Sequence, residues 1–241
     1  MAKSDRSIGR FFEDGYQQQL DHGRAAGEQI FDALKRAILS MDIAPGSLIP
    51  EAEVGRRFSA SRTPVREALM QLRGAGLVVT SSGSGNFATK LSELRIREAR
   101  FIREVIEVGI VERLCETGIE ASAQKDLQDI LDSQKRCIER NLENDEFASL
   151  DDRFHLTLAL ATGFPRMADI LEREKMVLDR LRVISLVDAG HKQALYEEHL
   201  GIYEALIAQN IEQARSFMKT HLTSVLNTLS KLAERHQEFF E

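Results

Sequence analysis

The 241-residue chain has no tryptophan, three tyrosines, four prolines and two cysteines. The two cysteines, Cys115 and Cys137, stand in no metal-like spacing. They are expected as buried thiols in a reducing cytoplasm. No apolar run reaches the roughly 18 residues that a membrane span needs. The N-terminus lacks the basic, apolar, then small-residue order of a secretory signal, so the expected location is the cytoplasm. Internal repeats and low-complexity tracts are absent. Beyond Ser92 there is one proline, Pro165, and almost no strand signal, which excludes a second β-rich unit. With 43% hydrophobic residues the chain can bury a sizeable core.

An excess of positive charge is also missing. The formal net charge is −6, which looks wrong for a nucleic-acid binder until it is divided. Residues 1–24 are neutral, residues 25–90 carry eight basic and six acidic side chains, and residues 91–241 carry 20 basic and 28 acidic. A slightly basic N-terminal part thus precedes an acidic C-terminal one. That is compatible with DNA contact where arginines share one face.

What is present centres on Ser59–Leu77, read as a turn and one helix. Thr63 can cap it and Pro64 suits its first position. Val65, Leu69 and Leu72 recur at helical spacing, while Arg62 and Arg66, four apart, share a face near its start. Such a helix suits the DNA major groove, although an ordinary surface helix with solvated arginines reads the same way. Around it, residues 1–24 read as a flexible extension in which Phe11, Phe12 and Tyr16 could dock. A helix from about Ala25 to Ser40 precedes a Pro45-Gly46 turn, and Glu51–Phe58 is a short second helix. Leu77–Thr80 and Asn86–Thr89 form a hairpin with a glycine-rich tip at Gly83 and Gly85. Helix, short helix, turn, helix and hairpin make a winged helix-turn-helix over residues 25–90.

Residues 91–241 read as six helices, at about 93–117, 122–142, 144–162, 165–187, 191–209 and 211–237, each with an apolar stripe and short connections. The predicted fold is therefore mainly α: an N-terminal winged helix-turn-helix and a C-terminal all-α antiparallel bundle. Asp151 and His155 share an inward stripe with Phe147 and Leu158. His199 lies between Leu195 and Ile202, and His221 with Phe217 and Val225. Three of the six histidines and one aspartate thus point into the bundle from three helices. A buried aspartate needs a partner, and a divalent metal is one way to supply it. Three imidazoles and a carboxylate suit Zn²⁺ or Ni²⁺, and less well Mn²⁺; an octahedral ion would keep two positions for a bidentate ligand. Hydrogen-bonded core histidines are the alternative. Arg103 sits on the apolar stripe Ala99–Arg103–Ile106–Ile110. It reads either as a receptor for a small carboxylate or as one half of a buried ion pair, with Glu107 one turn along or with another helix. Arg180 and Arg182 could reach the same cavity.

The run SRTPVREALMQLRGAGLV followed by GSGNF resembles the DNA-binding domain of GntR-type bacterial repressors. The bundle, with Arg103-Glu104-Val105-Ile106-Glu107, Asp151-Asp152-Arg153-Phe154-His155, Glu198-His199 and Thr220-His221-Leu222, resembles the FCD ligand domain of the FadR subfamily, in its six-helix VanR-type branch. The resemblance covers about residues 25–237. It implies operator contacts by Arg62, Thr63 and Arg66, with Gly85 at the wing. It also implies metal ligation by Asp151, His155, His199 and His221, and an effector carboxylate on Arg103. Ala52 departs from the arginine that fatty-acid-responsive members carry in the second helix, and Gly163-Phe164 from a frequent Gly-Asn. FIREVIE, LDDRFH and LDRLRVISL look like regulators tied to sugar-acid catabolism.

The resulting expectation is a homodimeric transcription regulator, in most such proteins a repressor. It would bind double-stranded DNA at a palindromic operator under control of a small carboxylate at a metal site. Two rivals stand beside it: a metal-dependent enzyme fused to a DNA-binding module, and an architectural DNA-binding dimer without effector.

Overall fold

The computed structural model describes residues 11–12, 17–81, 83–142, 144–185 and 189–241. They fall into two compact units, one of residues 1–92 and 233–241, the other of residues 93–232.

In the first unit α1 (Ala26–Leu39), α2 (Glu51–Arg57) and α3 (Arg62–Gly74) precede the antiparallel strands β1 (Val78–Ser81) and β2 (Gly85–Ala88). Ile30, Leu34 and Ile38 of α1 are spaced to form one stripe, and they close on Val65, Leu69 and Leu72 of α3. Val54 of α2 and Phe58 just beyond it complete this core. Gly76, with φ +71°, ends the α3 segment and turns the chain into β1. The expected cap is displaced. Ser61 occupies the N-cap without a side-chain bond, so Thr63 and Pro64 are the second and third helical residues. A proline costs nothing there, because the first N–H groups of a helix have no intrahelical acceptor.

Two further stretches attach to this unit, one by a docking that the sequence allowed and one that the sequence pattern placed elsewhere. Phe11 and Phe12, from the expected flexible extension, pack against the core. The Phe11 N–H donates to the Asp42 carbonyl (3.1 Å), and the Arg57 guanidinium lies 4.0 Å over the Phe11 ring. Tyr16 lies outside the described residues. At the other end, residues 233–241 belong here and not to the helical bundle. After a short 3₁₀ turn at Gln237–Phe239, Leu91 donates to the Phe239 carbonyl (2.8 Å) and Glu241 donates back to Leu91 (3.1 Å). Phe239 supplies the apolar anchor that a helical stripe ending near residue 237 does not reveal.

The second unit contains α4 (Glu93–Thr117), α5 (Ala121–Glu139), α6 (Asn144–Ala161), α7 (Pro165–Ser185), α8 (Ala189–Ile207) and most of α9 (Ile211–Arg235). Its core includes Val111, Leu114, Leu127, Ile130, Phe147, Phe154, Ile202 and Met218. Four turns lie at or beside the breaks that the sequence places: Gly118 and Gly163 have φ of +76° and +77°, and Asn141 and Gln209 also take positive φ; the break expected at Asp188 begins outside the described residues. No helix among the described residues is long and apolar enough to cross a membrane. Cys115 and Cys137 are free, buried thiols, and burial pushes both up from the ordinary thiol range.

Candidate metal centre and nucleic-acid interface

On the first unit, Arg62, Thr63 and Arg66 are exposed along the first two turns of α3, and Gly85 is exposed in β2. Gly85 has φ +110°, and a Cβ there would lie 3.1 Å from the Leu48 side chain, so glycine serves both the backbone and the packing. Arg66 is engaged. Its Nε donates to Glu51 Oε2 at 3.1 Å, while the other Glu51 oxygen accepts from Asn86 Nδ2 at 3.4 Å. Asn86, buried in β2, in turn accepts from Thr80 (2.8 Å) and Arg73 (3.2 Å).

In the second unit the helical stripes bring four side chains to one point. One ligand-type atom each from Asp151, His155, His199 and His221 lies within 4.8 Å of the other three, and all four residues are buried. Asp151 and His155 come from adjacent turns of α6, His199 from α8 and His221 from α9. The expected companion of His221 differs: Phe217 is 41% exposed, and Met218 and Leu222 are buried instead.

The surroundings of the imidazoles define their chemistry. Each Nδ1 faces an outside acceptor: Glu107 for His155, Gln134 Oε1 for His199 (3.1 Å) and Glu198 Oε2 for His221 (2.8 Å). These acceptors place the protons on Nδ1 and leave the Nε2 lone pairs directed inward. Two of those lone pairs, on His155 and His221, then face each other at 3.0 Å. The third, His199 Nε2, is buried with no hydrogen-bond partner, 3.6 Å from Asp151 Oδ1. Converging lone pairs beside a carboxylate repel one another unless a cation lies among them, so the donor set fits a divalent ion. The electrostatics agree. Burial lowers His199 far below the ordinary imidazole value and lowers His221, so both are neutral donors. Burial would raise Asp151, but the Arg182 guanidinium overcomes it and holds the carboxyl well below its usual range.

Arg103 is buried, and its Nε donates to Glu107 Oε1 at 2.7 Å. Of the two sequence readings, the ion pair is thus present, and the same carboxylate passes on to His155. Burial would raise Glu107; Arg103 and His155 hold it at about 2. Arg103 also lines a cavity together with Arg100, Arg182, Asp151, His155 and His221. Arg182 pairs with Asp151, and with Asp152 at 2.6 Å; Arg180 is not among the lining residues. Sequence periodicity missed Gln134 and Glu198 as imidazole partners. A glutamine within a buried stripe, between Leu131 and Cys137, was the available signal for Gln134.

A winged helix-turn-helix and a six-helix bundle with an internal histidine–carboxylate cluster define a two-part DNA-binding regulator. The comparisons with known proteins agree. Residues 26–87 match the bacterial regulatory proteins of the gntR family, and residues 98–224 match the FCD domain. The chain belongs to the GntR family, in the branch that carries an FCD domain, and is a DNA-binding transcriptional regulator rather than an enzyme. It is 31% identical over 222 residues to the HTH-type transcriptional repressor RspR of Escherichia coli K12, covering 92% of this chain and 96% of that one. It is 30% identical over 162 residues to the gluconate operon transcriptional repressor of Bacillus subtilis, covering 67% and 65%. Among solved structures, E. coli McbR/YncC aligns with a TM-score of 0.71 at 17% identity, covering 86% of this chain and 98% of that one, a likeness of fold.

Proposed function

We propose that this chain is a cytoplasmic homodimeric repressor that leaves a palindromic operator when a small carboxylate, of the sugar-acid class, binds beside a divalent metal in the bundle. The observation that carries the reading is the convergence of three imidazole Nε2 atoms and one carboxylate whose outer contacts already select the metal-binding tautomer. Asp151, His155, His199 and His221 would hold Zn²⁺ or Ni²⁺, or less well Mn²⁺. When bound, the ion would supply Lewis-acid positions for a carboxylate. Arg103 and Arg182 offer guanidinium groups at the same cavity to grip and orient the anion. Repressor action, and the sugar-acid class, are supported by the repressor names of the two relatives, one of them a gluconate operon regulator.

On the DNA side, Arg62, Thr63 and Arg66 would meet bases and phosphates in the major groove, with Gly85 bringing the wing backbone close to the sugar-phosphate chain. The effector changes operator affinity only to the extent that it binds the DNA-incompetent arrangement more tightly. A second copy would pack on the outward face of α4, where Leu94, Phe101 and Val105 are 67%, 59% and 60% exposed although the opposite face of the helix is buried. Gly109 on that face has nothing within 4 Å of a Cβ, which leaves room for a partner's ring. An antiparallel α4 pair would set exposed Arg95 and Arg97 near the acidic end that holds Glu112 and Glu116.

The deciding experiment is a thermal-shift and gel-shift series with sugar, hydroxy and dicarboxylic acids, with and without chelator. A metal-dependent rise in melting temperature together with operator release is expected. No response to any acid would favour the architectural dimer. Light scattering should give a dimer for the wild type and a monomer for Phe101→Glu; a dimeric Phe101→Glu would reject the α4 face.

A further inference from the structure

We infer that Glu51 is a positioning residue for base reading: it fixes which edge of the Arg66 guanidinium is offered to DNA, and so sets sequence preference without touching a base. The inference rests on the proposed role of α3 in the major groove.

A guanidinium can meet guanine O6 and N7 with its Nε and one Nη, or end-on with both Nη atoms. Glu51 occupies the Nε edge, at 3.1 Å, so the end-on Nη pair is the edge left for a base. An isolated exposed Arg–Glu pair holds geometry poorly, because two long side chains must be ordered for a weak, screened attraction. Glu51 is not isolated. It stands at the first residue of α2, and its second oxygen is held by Asn86. Asn86 is 6% exposed and is fixed through its own oxygen by Thr80 on β1 and Arg73 near the end of α3. One polar chain therefore ties α2, the wing and the recognition helix together and ends on Arg66.

Two physical consequences follow. The rotamer freedom of Arg66 is spent on folding rather than on binding, which favours the one partner that fits the pre-set edge. The carboxylate beside the groove-facing arginines also repels phosphate, which weakens binding to DNA of every sequence alike. Preference for one base is raised from both directions.

The test uses the full-length protein. Duplexes are selected from a random-sequence pool with the wild type, and binding is measured to the selected duplex, to versions with each base pair replaced, and to an unselected duplex. Arg66→Ala is expected to lose discrimination at one G·C pair of each half-site. Glu51→Ala is expected to lose about tenfold of discrimination at that same pair, with other positions unchanged and the unselected duplex bound at least as tightly. Retained discrimination in Glu51→Ala beside its loss in Arg66→Ala overturns the inference while leaving the DNA role of Arg66 intact. Equal weakening on all duplexes, with a lowered melting temperature, assigns Glu51 a merely structural role and also overturns it. If Arg66→Ala keeps full discrimination, or the wild type selects no duplex, the groove-reading proposal itself fails and the inference falls with it.

Discussion

Charged side chains are used in opposite ways in the two units. On α3 the arginines stand in solvent: the Arg66 side chain is 66% exposed and its Glu51 partner 36%. In the bundle, Arg103, Glu107, Asp151 and the three histidines are all buried and each leans on another. The surface group can be changed at little cost to folding, because water replaces whatever is lost. The buried group cannot, because removing one member leaves its neighbour desolvated and unpaired. An exposed arginine face can therefore change its contacts freely, whereas a cluster of buried polar groups must be complete.

The sharpest way to break this contrast is at the converging nitrogens. His199→Ala should abolish stoichiometric metal, read by elemental analysis of purified protein; full occupancy would reject the assignment of the four ligands. Glu107→Gln removes the charge shared by Arg103 and His155. It should destabilise the protein by about 3 kcal/mol in chemical denaturation and weaken metal binding by about 10- to 100-fold. A change below about 0.5 kcal/mol would show that the buried network is no more demanding than the surface. Arg66→Ala tests the other side. Operator affinity should fall by about 1–3 kcal/mol in gel-shift titration, with stability altered by less than about 0.5 kcal/mol.

The buried set should also give the protein a pH dependence. His199 and His221 lie below 6.5 in the folded protein, so the unfolded chain takes up protons first as the pH falls past 6.5. Metal-free protein should therefore lose stability from that point downward. Glu107, lowered from 4.5 to about 2, adds stability that is complete above pH 4.5 and is lost as the pH falls toward 2. Melting curves of metal-free protein at stepped pH check both parts, and a flat profile between pH 7 and 5 would contradict the first.

Much of this architecture is legible in residue order. The α3 stripe of Val65, Leu69 and Leu72 and the six bundle helices need only local periodicity, and their ends differ from the expected ones by a few residues. The inward direction of Asp151, His155 and His199 is also local, because spacing along one helix decides which side chains share a face. The helix starts two residues before the cap that Thr63 suggests, since the start of a helix depends on which residue leaves the extended region, here Ser61 with ψ 171°. Phe11 gives no periodic signal because it docks on a core built elsewhere in the chain, and Phe239 because a backbone bond from distant Leu91 holds its segment.

Periodicity and side-chain type alone establish that the chain has an amphipathic helix with two arginines near its start, an acidic bundle and a polar spot among apolar stripes. Packing decides the rest. Gln134 meets His199 from 65 residues away, Glu107 meets His155 from 48, and Asn86 reaches Glu51 across 35. Which nitrogen of an imidazole faces inward, and which edge of an arginine stays free, depends on the one acceptor that happens to lie behind it. That acceptor is supplied by a different element, so no window along the chain contains both partners.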